Sequence, residues 1–215
     1  MTEPDFLRDT RNSYNAMAID YAENFKNGID DKPVDRAVLA VFAELVRASG
    51  NTDAVDVGSG PGHVTEYLKS LGLNIYGIDL SSEMVELARR KRPGIRFEEG
   101  SMTALDLAEG SLGGICAWYS TIHVPLEQLS GVFADFRRAL VPGGHLVLGF
   151  QSGDELKHYD EGFGHKLSLD FYRRSPDLVA GLLNEAGFEV YARAEREPDP
   201  EEKTRQAYLI ARALG

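Results

Sequence analysis

The chain has 215 residues, with 34 acidic and 23 basic side chains, a net charge of −11 and 43% apolar residues. This length predicts one domain with a sizeable core. The negative charge disfavours binding to phosphate backbones and anionic lipid, so we expect no nucleic-acid or membrane partner. The single cysteine, Cys116, excludes an intrachain disulfide. That composition fits a reducing cytoplasm.

The sequence shows no sign of a targeting or membrane-spanning segment. The first five residues are acidic and lack an apolar signal core. No run approaches the roughly 20 apolar residues that a membrane helix needs. We therefore expect a cytoplasmic globular protein.

The N-terminal part of the chain predicts helices. Residues 6–25 carry apolar side chains at loosely helical spacing, which indicates one or two short helices that end at residues 27–30. Pro33 begins a further helix, whose apolar residues follow the i, i+3, i+4, i+7 pattern until Gly50. We expect residues 1–32 to form a helical cap on a single domain of residues 1–215.

Short apolar runs alternate with amphipathic stretches in the middle of the chain. Strands are predicted at residues 54–57, 74–78, 95–97, 114–118 and 145–150. Helices are predicted between them, at about residues 64–71, 82–88 and 126–140. This alternation predicts βαβ units and a parallel sheet with helices on both faces.

The pattern changes after Phe150. Residues 151–173 are polar, aromatic and irregular, and they are too many for a plain connection. A substrate lid and a solvated loop are both open interpretations. The rest of the chain predicts a helix at about residues 176–186 and a strand pair at 188–191 and 207–211.

Three polar side chains of the 151–173 segment are candidate contacts for a substrate: His158, His165 and Tyr172. The two histidines with Asp160 between them also raise the question of a metal. Their spacing fits no strong metal-site pattern, so we expect no metal ion.

The segment Asp56-Val57-Gly58-Ser59-Gly60-Pro61-Gly62-His63 follows a predicted strand and begins a helix. Its glycines allow a sharp turn and close approach of a ligand. It lacks the lysine of a phosphate-binding Walker loop, and His63 occupies the last glycine position of a dinucleotide fingerprint. An acid at the strand end suits a cationic ligand. S-adenosylmethionine, which carries an ammonium and a sulfonium, fits that requirement.

These motifs resemble those of the class I S-adenosylmethionine-dependent methyltransferases. The matching segments occur in the right order over most of the chain: 56–62, Asp79 within 76–81, 99–102, the stretch up to Ile122-His123, and 140–144. The resemblance implies an α/β, Rossmann-like, doubly wound sheet of seven mostly parallel strands, with the last strand antiparallel. It also implies an N-terminal helical cap, a lid loop after the fifth strand, and S-adenosylhomocysteine as the product.

The resemblance implies roles for individual residues. Gly58, Gly60 and Gly62 would contact the methionyl part through their backbones, and Asp56 would counter its charge. Asp79 would bind both ribose hydroxyls, as does the acid that lies about 20 residues beyond the glycine loop of dinucleotide sites. Further expected cofactor contacts are Leu80, Ser101, Met102, Ala117, Tyr14 and Tyr21.

Methyl transfer from a sulfonium is an in-line displacement, so much of the catalysis can come from holding the two reactants in line. A base is needed only where the nucleophile must lose a proton. In the resembled family, the segment after the fourth strand faces the transferred methyl group. His123 is therefore the first candidate for acceptor positioning or general base, and Tyr119 is the second. The predicted acceptor is a small molecule methylated on oxygen, nitrogen or sulfur.

Other functions stay open at this point. An NAD(P)-dependent oxidoreductase on the same topology is disfavoured by His63. A non-catalytic cofactor-binding module is not excluded by an intact glycine loop with Asp79. The charge disfavours a nucleic-acid methyltransferase. We expect a monomer or a homodimer.

Overall fold

The computed structural model describes residues 3–215, so that Met1 and Thr2, the first residues of the predicted cap, lie outside the described residues. The α-helices are α1 (Asp5–Asn24), α2 (Pro33–Ala48), α3 (His63–Ser70), α4 (Ser82–Lys91), α5 (Leu126–Ala139) and α6 (Pro176–Glu185). The strands are β1 (Asp53–Val57), β2 (Asn74–Asp79), β3 (Phe97–Glu99), β4 (Leu112–Trp118), β5 (Leu140–Gln151), β6 (Leu156–Gly162), β7 (His165–Tyr172), β8 (Phe188–Arg196) and β9 (Gln206–Ala213).

Seven strands form one sheet in the order β3-β2-β1-β4-β5-β9-β8. The pairs from β3 to β5 are parallel, and β9 runs antiparallel to both β5 and β8. This arrangement confirms the predicted doubly wound sheet with an antiparallel last strand. The strand order reverses between β1 and β4, which is where such sheets bind ligands.

Apolar side chains cover both faces of the sheet. One face packs against α2, whose buried residues are Leu39, Phe42, Ala43 and Val46 at helical spacing. The other face packs against α5 and α6. The central strand β4 is buried along its whole length, as expected for a strand between two helical layers. Within residues 3–215, no helix combines the length and the apolar character that a bilayer crossing needs.

The fifth strand begins earlier than its apolar run predicts. Its pairing with β4 starts at Leu112 and Leu140 and resumes at Gly114 and His145. An irregularity in the register accommodates residues 141–144, so the residues between the predicted helix and the predicted strand lie inside β5.

The prediction of an irregular loop at residues 151–173 is wrong. Most of this segment folds as a two-stranded hairpin of β6 and β7. Gly162 pairs with His165, so the turn has two residues, Phe163 and Gly164, with φ of 52° and 81°. Positive φ at both positions defines a type I′ turn, which matches the twist of the paired strands.

The N-terminal segment forms one long helix that lies against the hairpin. The Ser13 hydroxyl donates to the Ser168 carbonyl at 3.2 Å and accepts from the Ser168 N–H at 3.0 Å. Two residues earlier in α1, Arg11 donates to the carbonyl of Leu80 at 3.3 Å. These bonds fix α1 and the hairpin above the edge of the sheet at which β1 and β2 end.

Candidate cofactor and acceptor site

A cavity of about 860 Å³ lies at the carboxyl edge of the parallel strands. Its floor is formed by the residues that follow β1, β2, β3 and β4, and its roof by α1 and the β6–β7 hairpin. The volume lies in the upper part of the range for small-molecule sites.

The glycine loop at the end of β1 has two kinds of glycine. Gly58 has φ of 78°, and a Cβ there would lie 2.2 Å from the Cβ of Ser120, so the floor of the cavity packs directly against this backbone. Gly60 has φ of 52°, and a Cβ there would meet no atom within 4 Å. The space above Gly60 belongs to the cavity, which leaves room for a ligand to approach the backbone.

Asp56 lies at the base of the cavity and is fully buried. Its Oδ2 accepts a hydrogen bond from the Thr65 hydroxyl at 2.7 Å, while Oδ1 has no hydrogen-bond partner within residues 3–215. Burial raises the pKa of this carboxyl to about 6. A buried carboxylate oxygen without a partner is costly, and a cationic ligand would relieve that cost. The site therefore fits a group that carries an ammonium.

Asp79, the last residue of β2, lies next to the glycine loop on the cavity floor. Its Oδ2 accepts the Gly60 N–H at 2.7 Å, and its Oδ1 accepts the Ser81 N–H at 2.9 Å. Burial raises the pKa of this carboxyl, and the backbone donors oppose that effect. The two N–H groups hold the carboxylate in one orientation. Each oxygen keeps a second lone pair, which suits the paired hydroxyls of a ribose.

The cavity continues from Asp79 to the residues after β2 and β3. Leu80, Ser101 and Met102, all expected cofactor contacts, line this part, and Gly100 lies beside them. The Ser101 hydroxyl lies 2.9 Å from the Thr103 hydroxyl. Apolar and small polar surfaces thus flank the acidic centre of the site.

A chain of hydrogen bonds through His123, which follows β4, joins the floor of the cavity to its roof. The Nδ1 of His123 lies 2.7 Å from the backbone carbonyl of Asp170, which can only accept, so Nδ1 carries the proton. The Nε2 of His123 then accepts the Tyr14 hydroxyl at 2.8 Å. Burial lowers the pKa of His123 to about 4. Burial also raises the pKa of Tyr14 well above its ordinary value. The pair is therefore a neutral imidazole and a neutral phenol.

Tyr119 follows β4 with φ of 52°, a conformation that costs a non-glycine residue energy. Its hydroxyl lies 3.5 Å from that of Tyr208, which in turn donates to Asp35 at 2.8 Å. Burial raises the pKa of Tyr119 strongly. Tyr119 lines the cavity, but its hydroxyl contacts Tyr208 and not the residues that contact His123.

The structure brings most of the predicted site residues to this one cavity. The following line it: Tyr14, Tyr21, Asp56, Gly58, Gly60, Asp79, Leu80, Ser101, Met102, Tyr119 and His123. Two others do not. Ala117 is buried within β4, and Gly62 precedes α3 with φ of 89°, where a Cβ would lie 2.6 Å from the Phe97 ring. The Gly62 position is therefore explained by packing.

The three predicted acceptor contacts of the hairpin do not line the cavity either. His158 contacts the Asp170 carboxylate at 2.7 Å, and His165 contacts Asp20 of α1 at 2.8 Å. The Tyr172 ring lies under the guanidinium of Arg174, 5.0 Å away. Side chains alternate between the two faces of a strand, so His158 and Tyr172 lie on the face opposite to Tyr159 and Phe171, which line the cavity. His165 is directed to Asp20 of α1 instead.

The hairpin residues that do face the cavity are mainly aromatic or apolar: Tyr159, Phe163, Leu167, Leu169 and Phe171. The sequence interpretation missed them because it treated residues 151–173 as irregular. Their odd-numbered spacing was the available signal, since it has the period of a strand. Gln151 and Gln206, which pair across β5 and β9, also line the cavity and were not predicted.

Within residues 3–215, no group of three or more His, Cys, Asp or Glu side chains is placed to hold a metal ion.

Comparison with known proteins finds similarity to methyltransferases. Residues 54–144 match the sequence model of a methyltransferase domain. The malonyl-[acyl-carrier protein] O-methyltransferase of Pectobacterium atrosepticum is 31% identical over 144 residues, which cover 61% of this chain and 52% of that protein. The demethylmenaquinone methyltransferase of Chlorobaculum parvum is 30% identical over 139 residues, covering 62% and 56%. The chain thus spans about half the length of these curated relatives.

A solved structure has the same fold over nearly the whole chain. The magnesium protoporphyrin IX methyltransferase of Synechocystis, with bound S-adenosylmethionine, has a TM-score of 0.73 at 17% identity and covers 99% of both chains. Fold and site together define a Rossmann-like protein with a ligand cavity at the carboxyl edge of its sheet. Residues 54–144 of the chain match a methyltransferase domain, and the whole chain has the fold of a methyltransferase of known structure.

Proposed function

We propose that this protein transfers a methyl group from S-adenosylmethionine to a small molecule. The observation that carries the proposal is the convergence of the open glycine loop, the unpartnered Asp56 oxygen and the oriented Asp79 carboxylate on one cavity. A Rossmann oxidoreductase would place a pyrophosphate against this loop, and the buried Asp56 carboxyl at the base of the loop disfavours that ligand.

The residues of the loop would hold the cofactor at both ends. Gly58 and Gly60 would contact its methionyl part through their backbones, Asp56 would face its ammonium, and Asp79 would accept its ribose hydroxyls. Leu80 and Met102 would flank its base. The cofactor, when bound, supplies a methyl group activated by a sulfonium. Tyr21, in the roof beside Tyr14, would complete the enclosure from α1.

The Tyr14–His123 pair is proposed to orient the acceptor. The Tyr14 proton points to Nε2 of His123, so the lone pairs of the phenol oxygen are free to accept from a hydroxyl or amine in the cavity. With a pKa of about 4, His123 is a weak base at neutral pH. Its main contribution would therefore be to hold Tyr14, with Tyr119 lining the cavity on the other side.

The nature of the acceptor and its access are part of the same proposal. The proteins similar to this chain include a demethylmenaquinone methyltransferase, and the cavity has a volume suited to a small molecule. We propose that α1 and the β6–β7 hairpin close over that molecule within a single domain. The net charge of −11 disfavours a nucleic-acid acceptor. A cytoplasmic location agrees with the free, buried Cys116.

Calorimetry with S-adenosylmethionine and S-adenosylhomocysteine tests the proposal. We expect binding at micromolar concentrations by the wild-type chain and binding at least about tenfold weaker by Asp79→Ala, because the ribose would lose a charged acceptor. Asp53→Ala, at the exposed opposite end of β1, is the matched control and should leave binding unchanged. Absence of binding by the wild type at millimolar ligand would contradict the proposed function.

A further inference from the structure

Three aromatic rings form the mouth of the cavity on the side of α1 and the hairpin. The centroids of Tyr21 and Phe25 are 4.6 Å apart, and those of Tyr21 and Phe163 are 5.7 Å apart. Phe25 and Phe163 are 6.0 Å apart and remain 46% and 40% exposed. We call Tyr21, Phe25 and Phe163 the aromatic mouth. Exposed aromatic surface of this kind beside a cavity is typical of a binding site.

The backbone conformation at position 163 does not favour a phenylalanine. It is the first central residue of the type I′ turn, with φ of 52°, where asparagine followed by glycine is the preferred pair. A bulky residue in the left-handed region costs about 1 kcal/mol or more. Gly164 already supplies the second turn position. A phenylalanine backbone in this conformation thus lowers stability. In return, the phenyl ring packs against Tyr21 and Phe25 at the mouth of the cavity.

Two of the three cations that line the cavity, within residues 3–215, form ion pairs. Lys32 contacts Asp199 at 2.6 Å and Glu201 at 2.5 Å, and Arg173 contacts Glu155, although its Nε has no partner. Lys203 forms no ion pair within these residues and lies 5.9 Å from the Tyr159 ring.

The acids that line the cavity outnumber these cations. They are Asp31, Asp35, Asp56, Asp79, Glu161, Glu201 and Glu202. The histidines that line it, His63 and His123, have pKa values that burial lowers to about 4, so both are neutral at pH 7. A carboxylate or phosphate on the acceptor would meet a lining with more than twice as many acids as cations.

We infer that the methyl acceptor is an uncharged molecule with an aromatic body, which the aromatic mouth holds by ring contacts. The inference rests on the proposed function, since it assigns the substrate class of the same cavity. Ring contacts of this type contribute beyond the area that they bury, and they place no charge requirement on the ligand. Tyr159 and Phe171, whose rings are 5.1 Å apart, continue the aromatic surface inward towards His123.

A matched pair of probes tests the charge preference. Binding of 2-naphthol and of 6-hydroxy-2-naphthoate to the full chain is measured by calorimetry, with and without S-adenosylhomocysteine. We expect the neutral naphthol to bind at least about tenfold more tightly than the carboxylate. Equal or tighter binding of the carboxylate, or no binding of either probe at 1 mM, would overturn the inference. Failure to bind S-adenosylhomocysteine would instead contradict the proposed function.

The variant Phe163→Asn tests the aromatic mouth itself. Asparagine is favoured at this turn position, so the variant should fold at least as stably as the wild type. We expect the Kd for 2-naphthol to rise about tenfold while the Kd for S-adenosylhomocysteine is unchanged. Leu178→Asn, a 41% exposed apolar residue of α6 outside the cavity, is the control and should change neither Kd. An unchanged naphthol Kd in Phe163→Asn would refute the role of the mouth.

Discussion

Gly58 and Gly60 are two residues apart and both have positive φ, yet a side chain would do different things at the two positions. At Gly58 an added Cβ meets Ser120 at 2.2 Å, whereas at Gly60 it projects into the cavity. We expect Gly58→Ala to destabilise the fold by about 2–4 kcal/mol through strain and overpacking. Gly60→Ala should cost only about 1 kcal/mol but weaken S-adenosylmethionine binding about tenfold. Thermal unfolding and calorimetry separate the two effects. Similar melting temperatures for the two variants would contradict this reasoning.

His123 offers a way to separate positioning from proton transfer. A glutamine at this position can donate to the Asp170 carbonyl and accept from Tyr14, as the neutral imidazole does, but it cannot take up a proton. We expect His123→Gln to keep turnover within about threefold and His123→Ala to lower it about 100-fold, with cofactor binding unchanged in both. The measurement is single-turnover methyl transfer. An equal loss in both variants would show that His123 acts as a base instead.

Local sequence signals were sufficient to find the candidate cofactor residues that line the cavity, and insufficient to find most of the residues on the proposed acceptor side. Asp56, Gly60 and Asp79 lie on a strand–loop–helix unit whose spacing is set by chain-local geometry. The Tyr14–His123 bond joins residues 109 positions apart, so neither residue alone indicates it. The same holds for the aromatic mouth, which combines α1 with the turn of the hairpin.

Among the elements, the hairpin was the one that the sequence did not predict. The strands of the main sheet are short apolar runs because both of their faces are covered by helices. The β6 strand has exposed or half-buried residues throughout, including Lys157, His158 and Glu161, so it shows no buried run. Its partner β7 is held by packing on α1 and on the 3₁₀ turn Thr121–His123, and such tertiary contacts leave little local signal.

Arg174, at the end of β7, fastens the hairpin to the segment that carries His123. Its guanidinium donates to the Thr121 carbonyl at 3.1 Å and also to the Val124 carbonyl, and burial lowers its pKa to about 10. Lysine lacks the planar fork that reaches two carbonyls. We therefore expect Arg174→Lys to cost about 2 kcal/mol and to raise amide exchange at residues 121–124.

The matched control for Arg174 is Arg205, an exposed arginine that forms a surface ion pair with Glu197. Arg205→Lys changes a surface contact to Glu197 and should shift stability by less than about 0.5 kcal/mol. The melting temperature and hydrogen exchange of both variants are compared with the wild type. Unaltered exchange at residues 121–124 in Arg174→Lys would mean that the 3₁₀ turn is held by other contacts.

The whole chain is acidic, but the buried His123 and the half-buried His63, rather than the net charge, give its stability a specific pH dependence. The pKa of His123 falls from the ordinary 6.5 to about 4 in the folded protein, and His63 behaves in the same way. Between these values the unfolded chain binds protons that the folded chain does not, so the free energy of unfolding rises with pH. Asp56 opposes this trend, since burial raises its pKa from 3.8 to about 6 and the folded state then holds the extra proton.

Comparing wild type with His123→Gln isolates one of these groups, because His63 and Asp56 are common to both. The stability that His123 contributes as a neutral group is fully present above pH 6.5 and is lost as the pH falls to about 4. The difference in unfolding free energy between wild type and variant should therefore grow by roughly 3 kcal/mol from pH 4 to pH 7. Urea unfolding at intervals across this range measures it. A difference that stays constant with pH would show that His123 titrates alike in the folded and unfolded chains, which its burial and its Asp170 and Tyr14 bonds argue against.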